Sequence, residues 1–171
     1  MIDWARNKQL LLEGSRNAFL AFMRKHKKDH LSAVGFVFEL GNVSPSFEPC
    51  ADLGKSRAEV ESQEDDDRWN SGNFTHPAGV LQTVNELGTA WNSENDRLHE
   101  MADDEQATKP IYEGLARISC EVLAKLATEG VFGDWDSVDF NVSEVNDDTS
   151  LVKKRDAQIR KLIKTMNKGG R

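Results

Sequence analysis

No stretch of this sequence is apolar for long enough to cross a membrane. The longest apolar run, Ala33–Phe38, is six residues and includes a glycine, against the roughly 20 that a spanning helix needs. The opening Met1-Ile2-Asp3-Trp4-Ala5-Arg6 lacks the charged-then-apolar layout of a secretion signal. Cysteine is scarce. Cys50 and Cys120 are the only two, which argues against the paired framework of a secreted domain and against a zinc site with ligands close in sequence. Together these absences lead us to expect a cytoplasmic protein with free thiols and no membrane partner. A Gly-x-Ser-x-Gly elbow, a phosphate-cradling glycine loop and a dinucleotide fingerprint are also missing, and no cofactor is expected.

What is present is enough to fold. The 171 residues are 38% hydrophobic and 30% charged, with four Trp and eight Phe to bury, and no linker divides them, so a single domain over 1–171 is expected. Charge is unevenly spread. Residues 149–171 hold eight basic side chains and one acid, a net of +7; with −7 for the whole chain, residues 1–148 carry −14. An acidic body repels phosphate backbones and steers basic partners, so nucleic acid is not the expected ligand. The basic tail has no interleaved aromatics and reads as a face that balances the acidic body.

Hydrophobic spacing predicts the elements. Leu11, Ser15, Ala18 and Phe22 recur at helical intervals, giving a helix over about Asp3–Lys28 with a basic end. Val34, Phe36, Phe38 and Leu40 alternate with other small or apolar residues, as in a central strand. Gly41–Pro45 reads as a turn. A second strand around Ser46–Ala51 contains Pro49, which suits a sheet edge. Arg57–Asp67 is acidic and reads as a solvated helix or loop, and Arg68-Trp69-Asn70 as a brief strand. Pro77 opens a helix whose buried face is Val80, Val84, Leu87 and Trp91, with a break at Asn92-Ser93. The clearest helix runs over Lys109–Glu129, capped by Thr108 and closed by Gly130. Ser137–Val145 alternates as a strand with one wet face, and Asp148-Thr149-Ser150 caps a last helix. The order α-β-β-(β)-α-α-β-α implies an α+β fold: a small antiparallel sheet of three to five strands with four to five helices.

Reactive groups are scattered. His26 and His30 stand four apart, the spacing at which two helical histidines share a metal, but Lys25, Lys27 and Lys28 surround them, as at a solvated helix end. His99 lies with Glu100, Asp103, Asp104 and Glu105, a candidate for metal or acid–base chemistry that also reads as a solvated loop. Asp134, Asp136 and Asp139 read as solubilising. Cys120 sits inside a helix, where free cysteine behaves as a small hydrophobe. The most distinctive cluster is Arg68-Trp69-Asn70-Ser71-Gly72-Asn73-Phe74. Trp and Arg are enriched at binding hot spots, while Trp69 and Phe74 also suit loop anchors.

Four segments coincide in order: Ala18-Phe19 and Lys25-His26 leading into Ala33–Phe38; Arg68-Trp69-Asn70 with an aromatic soon after; Leu126-Ala127-Thr128-Glu129-Gly130-Val131-Phe132-Gly133; and Val138-Asp139-Phe140-Asn141-Val142-Ser143 before a charged helix. Across nearly the whole chain this resembles the bacterial family called domain of unknown function 4303, with Phe74 where that family has Trp. The resemblance implies an α+β fold in a bacterial cytosol, without catalytic residues to carry over, and by association a role beside toxin–immunity systems.

The leading expectation is therefore a non-enzymatic protein that binds a partner such as a basic toxin domain. Its contact region would be Arg68, Trp69 and Phe74 with the acids Glu64, Asp65, Asp66 and Asp67. The alternatives are a small metal-dependent hydrolase using His99 and the nearby acids, and a structural or oligomeric module.

Overall fold

The computed structural model describes residues 1–40, 46–77, 87–102 and 105–169. In chain order it has α1 (Trp4–Lys25), β1 (Leu31–Glu39), β2 (Ser46–Leu53), α2 (Arg57–Glu61), α3 (Asp65–Trp69) and a 3-10 turn at Ser71–Asn73. Then follow α4 (Thr89–Ala102), α5 (Glu105–Thr128), a 3-10 turn at Trp135–Ser137, β3 (Asp139–Glu144) and α6 (Thr149–Gly169). This is the expected α+β class with three strands. None of the described helices is long and apolar enough to cross a membrane.

The sheet order is β2-β1-β3, which places β1 at the centre and Pro49 on an edge strand, as the sequence indicated. The β1–β2 pair is antiparallel, but β1 and β3 run parallel. The sheet is thus mixed rather than wholly antiparallel. The intervening chain carries α4 and α5, and a parallel pair needs such a long crossover whereas a hairpin does not.

The pleat sorts the sheet into two faces. On one face, Val34, Phe36 and Phe38 of β1 align with Phe140 and Val142 of β3 and with Phe47 and Ala51 of β2. All belong to the main core, with α1, α4, α5 and α6. Aromatic rings interlock there edge to face: Phe19 lies 5.8 Å from Phe36 and 5.3 Å from Phe132, and Phe47 lies 5.1 Å from Trp91. Such pairs add to the burial of their large areas. On the opposite face, Ala33, Gly35 and Val37 align with Asp139, Asn141 and Ser143. There Gly35 is required: a Cβ would stand 1.9 Å from the Asn141 carbonyl oxygen. This face is covered by α2, α3 and the following turn, with Phe74 joining Ala33, Val37 and Cys50 in a second small cluster.

Some local expectations are met. Asp148 caps α6. Gly130, at φ +77°, closes α5: its N–H bonds the Ala127 carbonyl, and the Val131 N–H bonds that of Leu126, the two-bond stop that a left-handed glycine permits. Others are corrected. α5 begins at Glu105, so Thr108 lies inside it and its hydroxyl donates to the Ala102 carbonyl. α4 runs unbroken through Asn92-Ser93, because Trp91 and Leu98 are both fully buried along it. Arg68 and Trp69 end a short helix rather than form a strand. The turn Gly41–Pro45 and the Val80 and Val84 part of the helix expected after Pro77 lie outside the described residues.

Candidate functional site

The strand β3 was expected to have one wet face. Instead Asp139, Asn141 and Ser143 are buried, Asp139 at 2% exposure. A lone carboxylate taken out of water is costly unless paired, and Asp139 is paired from three directions. Arg57 of α2 donates from Nη1 at 2.8 Å. Arg68 of α3 donates from Nε at 2.6 Å and Nη2 at 2.9 Å, a two-pronged contact. Arg160 of α6 approaches to 3.6 Å. Burial alone would raise the Asp139 carboxyl, but the hydrogen bonds from Arg68 and Arg57 outweigh it and hold the group below the usual range. Alongside, the Asn141 amide donates to the Trp69 carbonyl at 2.8 Å, and the Ser143 hydroxyl donates to Asn141 at 2.9 Å. Asp139 is therefore a structural anchor and not a solubilising surface acid.

The outer edge of β3 is closed by side chains in place of another strand. The Arg160 guanidinium donates to the Val138 carbonyl at 2.6 Å and the Arg155 guanidinium to the Val142 carbonyl at 2.7 Å. Between them, Asp156 accepts the Phe140 N–H at 3.0 Å. An open edge is a template for unwanted pairing, and α6 removes it.

The anchor positions an acidic ridge. α2 and α3 have five residues each, far below the length at which an isolated helix is stable. Each is held by one arginine on Asp139, and α2 also by a reciprocal Ser56–Glu59 cap. Asp65, Asp66 and Asp67 occupy the first turn of α3, where the helix dipole favours negative charge. Glu64–Asp67 are all exposed. Lys153 of α6 bonds Asp65 at 2.7 Å and Thr149 bonds Asp66 at 3.1 Å, fixing the ridge beside the first turn of α6.

Of the residues expected to contact a partner, the structure brings the four acids together on the surface but commits Arg68 to Asp139. Trp69 and Phe74 are buried, at 7% and 6% exposure, as anchors of the segment. Trp69 still lines a cleft of about 510 Å³ beside the ridge, with Asp66, Ser143, Glu144, Asp147 and Val152. Of the acids lining it, Asp147 is paired with Arg155, which leaves Asp66 and Glu144 to favour positive charge there.

The other candidates separate. His99 is buried within α4 rather than set in an acidic loop, and Asp103 and Asp104 lie outside the described residues. His26 caps the end of α1 and His30 lies beyond it, so the two share no helix face. His26 instead faces Asp29 at 3.0 Å and the His76 ring at 5.0 Å. Burial, then the neighbouring His26, push the His76 imidazole down. Among the described residues no group of three or more His, Cys, Asp or Glu is placed to hold a metal. Cys50 and Cys120 are buried, and burial pushes both thiols up, Cys120 to about 12, which leaves them protonated and unreactive.

The anchoring residues Arg57, Asp139, Asn141, Asp156 and Arg160 were not singled out by sequence as a set. A signal existed. Arg155 and Asp156 fall on the same side of α6 as the buried Val152, Ile159 and Ile163, and charges on a core-facing stripe need partners.

No protein-family model, curated protein or solved structure matches the chain.

Proposed function

We propose that this chain is a non-enzymatic binding module that receives a basic protein surface on its α2–α3 ridge and in the adjoining cleft. The observation that carries the reading is the anchor beneath the ridge. Two helices too short to stand alone are clamped by buried ionic contacts to Asp139, so Glu64–Asp67 are held in one arrangement before any partner arrives. A preorganised charged surface loses less conformational freedom on binding and raises the rate of encounter with an opposite charge. The net charge of −7 acts in the same direction. Asp66 belongs to both ridge and cleft, which lets a lysine or arginine of the partner enter beside Trp69.

Membership in the domain of unknown function 4303 family is part of the same proposal and draws on the four ordered segments. In that setting the partner is a basic toxin domain, such as a nuclease, and the chain acts as its cytoplasmic immunity factor. The test is co-purification with the product of the gene beside it, at low and high salt. The wild type is expected to capture it in a salt-sensitive manner, and D65K/D66K/D67K to lose most of the capture together with its salt dependence. Capture unchanged by the reversal overturns the proposal.

A further inference from the structure

The last helix carries charge that the rest of the molecule does not neutralise. Lys154, Lys161, Lys164 and Lys168 are exposed, and none has an ion pair among the described residues, unlike Lys153 and Arg160 on the same helix. At 100° per residue the four fall within an arc of about 80°, and they extend over about 21 Å of helix. From Lys164 to Gly169 every residue is exposed, Met166 among them at 38%. With Ala157 and Thr165, three of these lysines line a groove along the helix. The stripe is therefore a continuous basic surface on a protein whose remaining residues are strongly acidic.

We infer that this stripe binds the acidic ridge of a second copy of the chain, across a two-fold axis. Lys153–Asp65 and Thr149–Asp66 fix the ridge beside the first turn of α6, while the stripe occupies its later turns. Two α6 helices laid antiparallel set the ridge of each copy against the stripe of the other. Taking the ridge level with Leu151 and the stripe centred near Ile163, the axis passes close to Ala157, an exposed residue small enough for the helices to approach. The contact is isologous, with the same patch used on both copies, and it closes as a dimer instead of propagating. Charges correspond: Glu64, Asp66 and Asp67 have no ion pair among the described residues, facing Lys161, Lys164 and Lys168, which have none either. A polyanion such as nucleic acid fits the stripe less well, because it must approach a body that repels it. The inference uses the same ridge as the proposed partner site, so a basic partner and the second copy compete for it.

Sedimentation velocity of the full chain tests this. A dimer is expected at low salt, with its dissociation constant rising at least about tenfold as salt is raised from about 50 to 500 mM. K161E/K164E/K168E and E64K/D66K/D67K are each expected to be monomeric, and an equimolar mixture of the two to form a heterodimer, since one ridge–stripe contact is then native and the other is reversed on both sides. Because Cys50 and Cys120 are buried, A157C is expected to form an intermolecular disulfide on mild oxidation, a readout that does not depend on the ridge variant folding. A wild-type monomer under all conditions, a dimer insensitive to salt and reversal, or a wild-type monomer that binds a DNA duplex through these lysines would each overturn the inference. The lysine variant also separates the two proposals: loss of the dimer with basic-partner capture retained supports both, loss of the dimer together with capture counts only against the partner reading, and a dimer that persists in this variant overturns the inference.

Discussion

On one side of the sheet, Val34, Phe36, Phe38, Phe140 and Val142 pack apolar side chains into the main core formed with the helices. On the other, Asp139, Asn141 and Ser143 meet Arg57, Arg68 and the Trp69 carbonyl. Both faces are buried, yet they fail differently. The apolar face is stabilised in proportion to area, and a neighbour can partly refill a lost group. The polar face depends on complete pairing, because each partner removed leaves another buried and unsatisfied. The apolar face therefore holds the domain together, and the polar face holds one segment, the α2–α3 ridge, in place.

That contrast can be broken by mutation. The largest effect is expected on the apolar side. Phe36→Ala removes a fully buried ring at the centre of the sheet and is expected to cost about 3–5 kcal/mol in urea unfolding, with all elements lost together. On the polar side, Asp139→Ala is expected to cost about 3 kcal/mol, the lower end for a broken buried pair because both arginines are partly exposed. Its acid profile carries a sign. The folded carboxyl titrates below its ordinary value near 3.9, so the wild-type advantage is complete above that pH. It declines as pH falls through the lower folded value, and a wild type and an Asp139→Ala variant that keep a constant difference down to pH 2 would contradict the assignment.

These two faces were not equally legible. Alternating Val34, Phe36 and Phe38 announces a buried strand because hydrophobicity is a property of each residue. The segment Asp139-Phe140-Asn141-Val142-Ser143 has the same period but was read as half wet, because polar residues at every second position look alike whether they face water or arginine. What distinguishes them is the arrival of Arg57 and Arg68 from 82 and 71 residues away in sequence, which no local spacing reveals. The turn chemistry at Gly130 and Asp148 was readable because both ends of each bond lie within a few residues. The ridge acids were readable as a charge run, but the anchor that fixes them was not, and Trp69 and Phe74 looked like contact residues because exposure cannot be inferred from aromaticity.

Two smaller changes sharpen the comparison. Asp156→Ala strands the Phe140 N–H at the β3 edge and leaves Arg160 with one partner fewer; a loss of about 1–2 kcal/mol is expected by urea unfolding, with no change in the ridge. Smaller still is the effect at His76. Its folded imidazole titrates below its ordinary value of about 6.5, so its neutral form favours the fold. That contribution is complete above pH 6.5 and is lost as pH falls below it, when the unfolded chain takes up a proton first. His76→Gln is expected to flatten the thermal stability profile as pH falls below about 6.5, and an unchanged slope there would remove His76 as the cause.

Hydrogen exchange of Asp139→Asn compared with the wild type tests most directly whether one buried carboxylate holds the ridge. The amides of Arg57–Trp69 are expected to lose protection by at least about tenfold, as a local opening that frees this segment alone, while those of β1 and α5 keep theirs. Equal protection of Arg57–Trp69 in the two proteins would contradict the account.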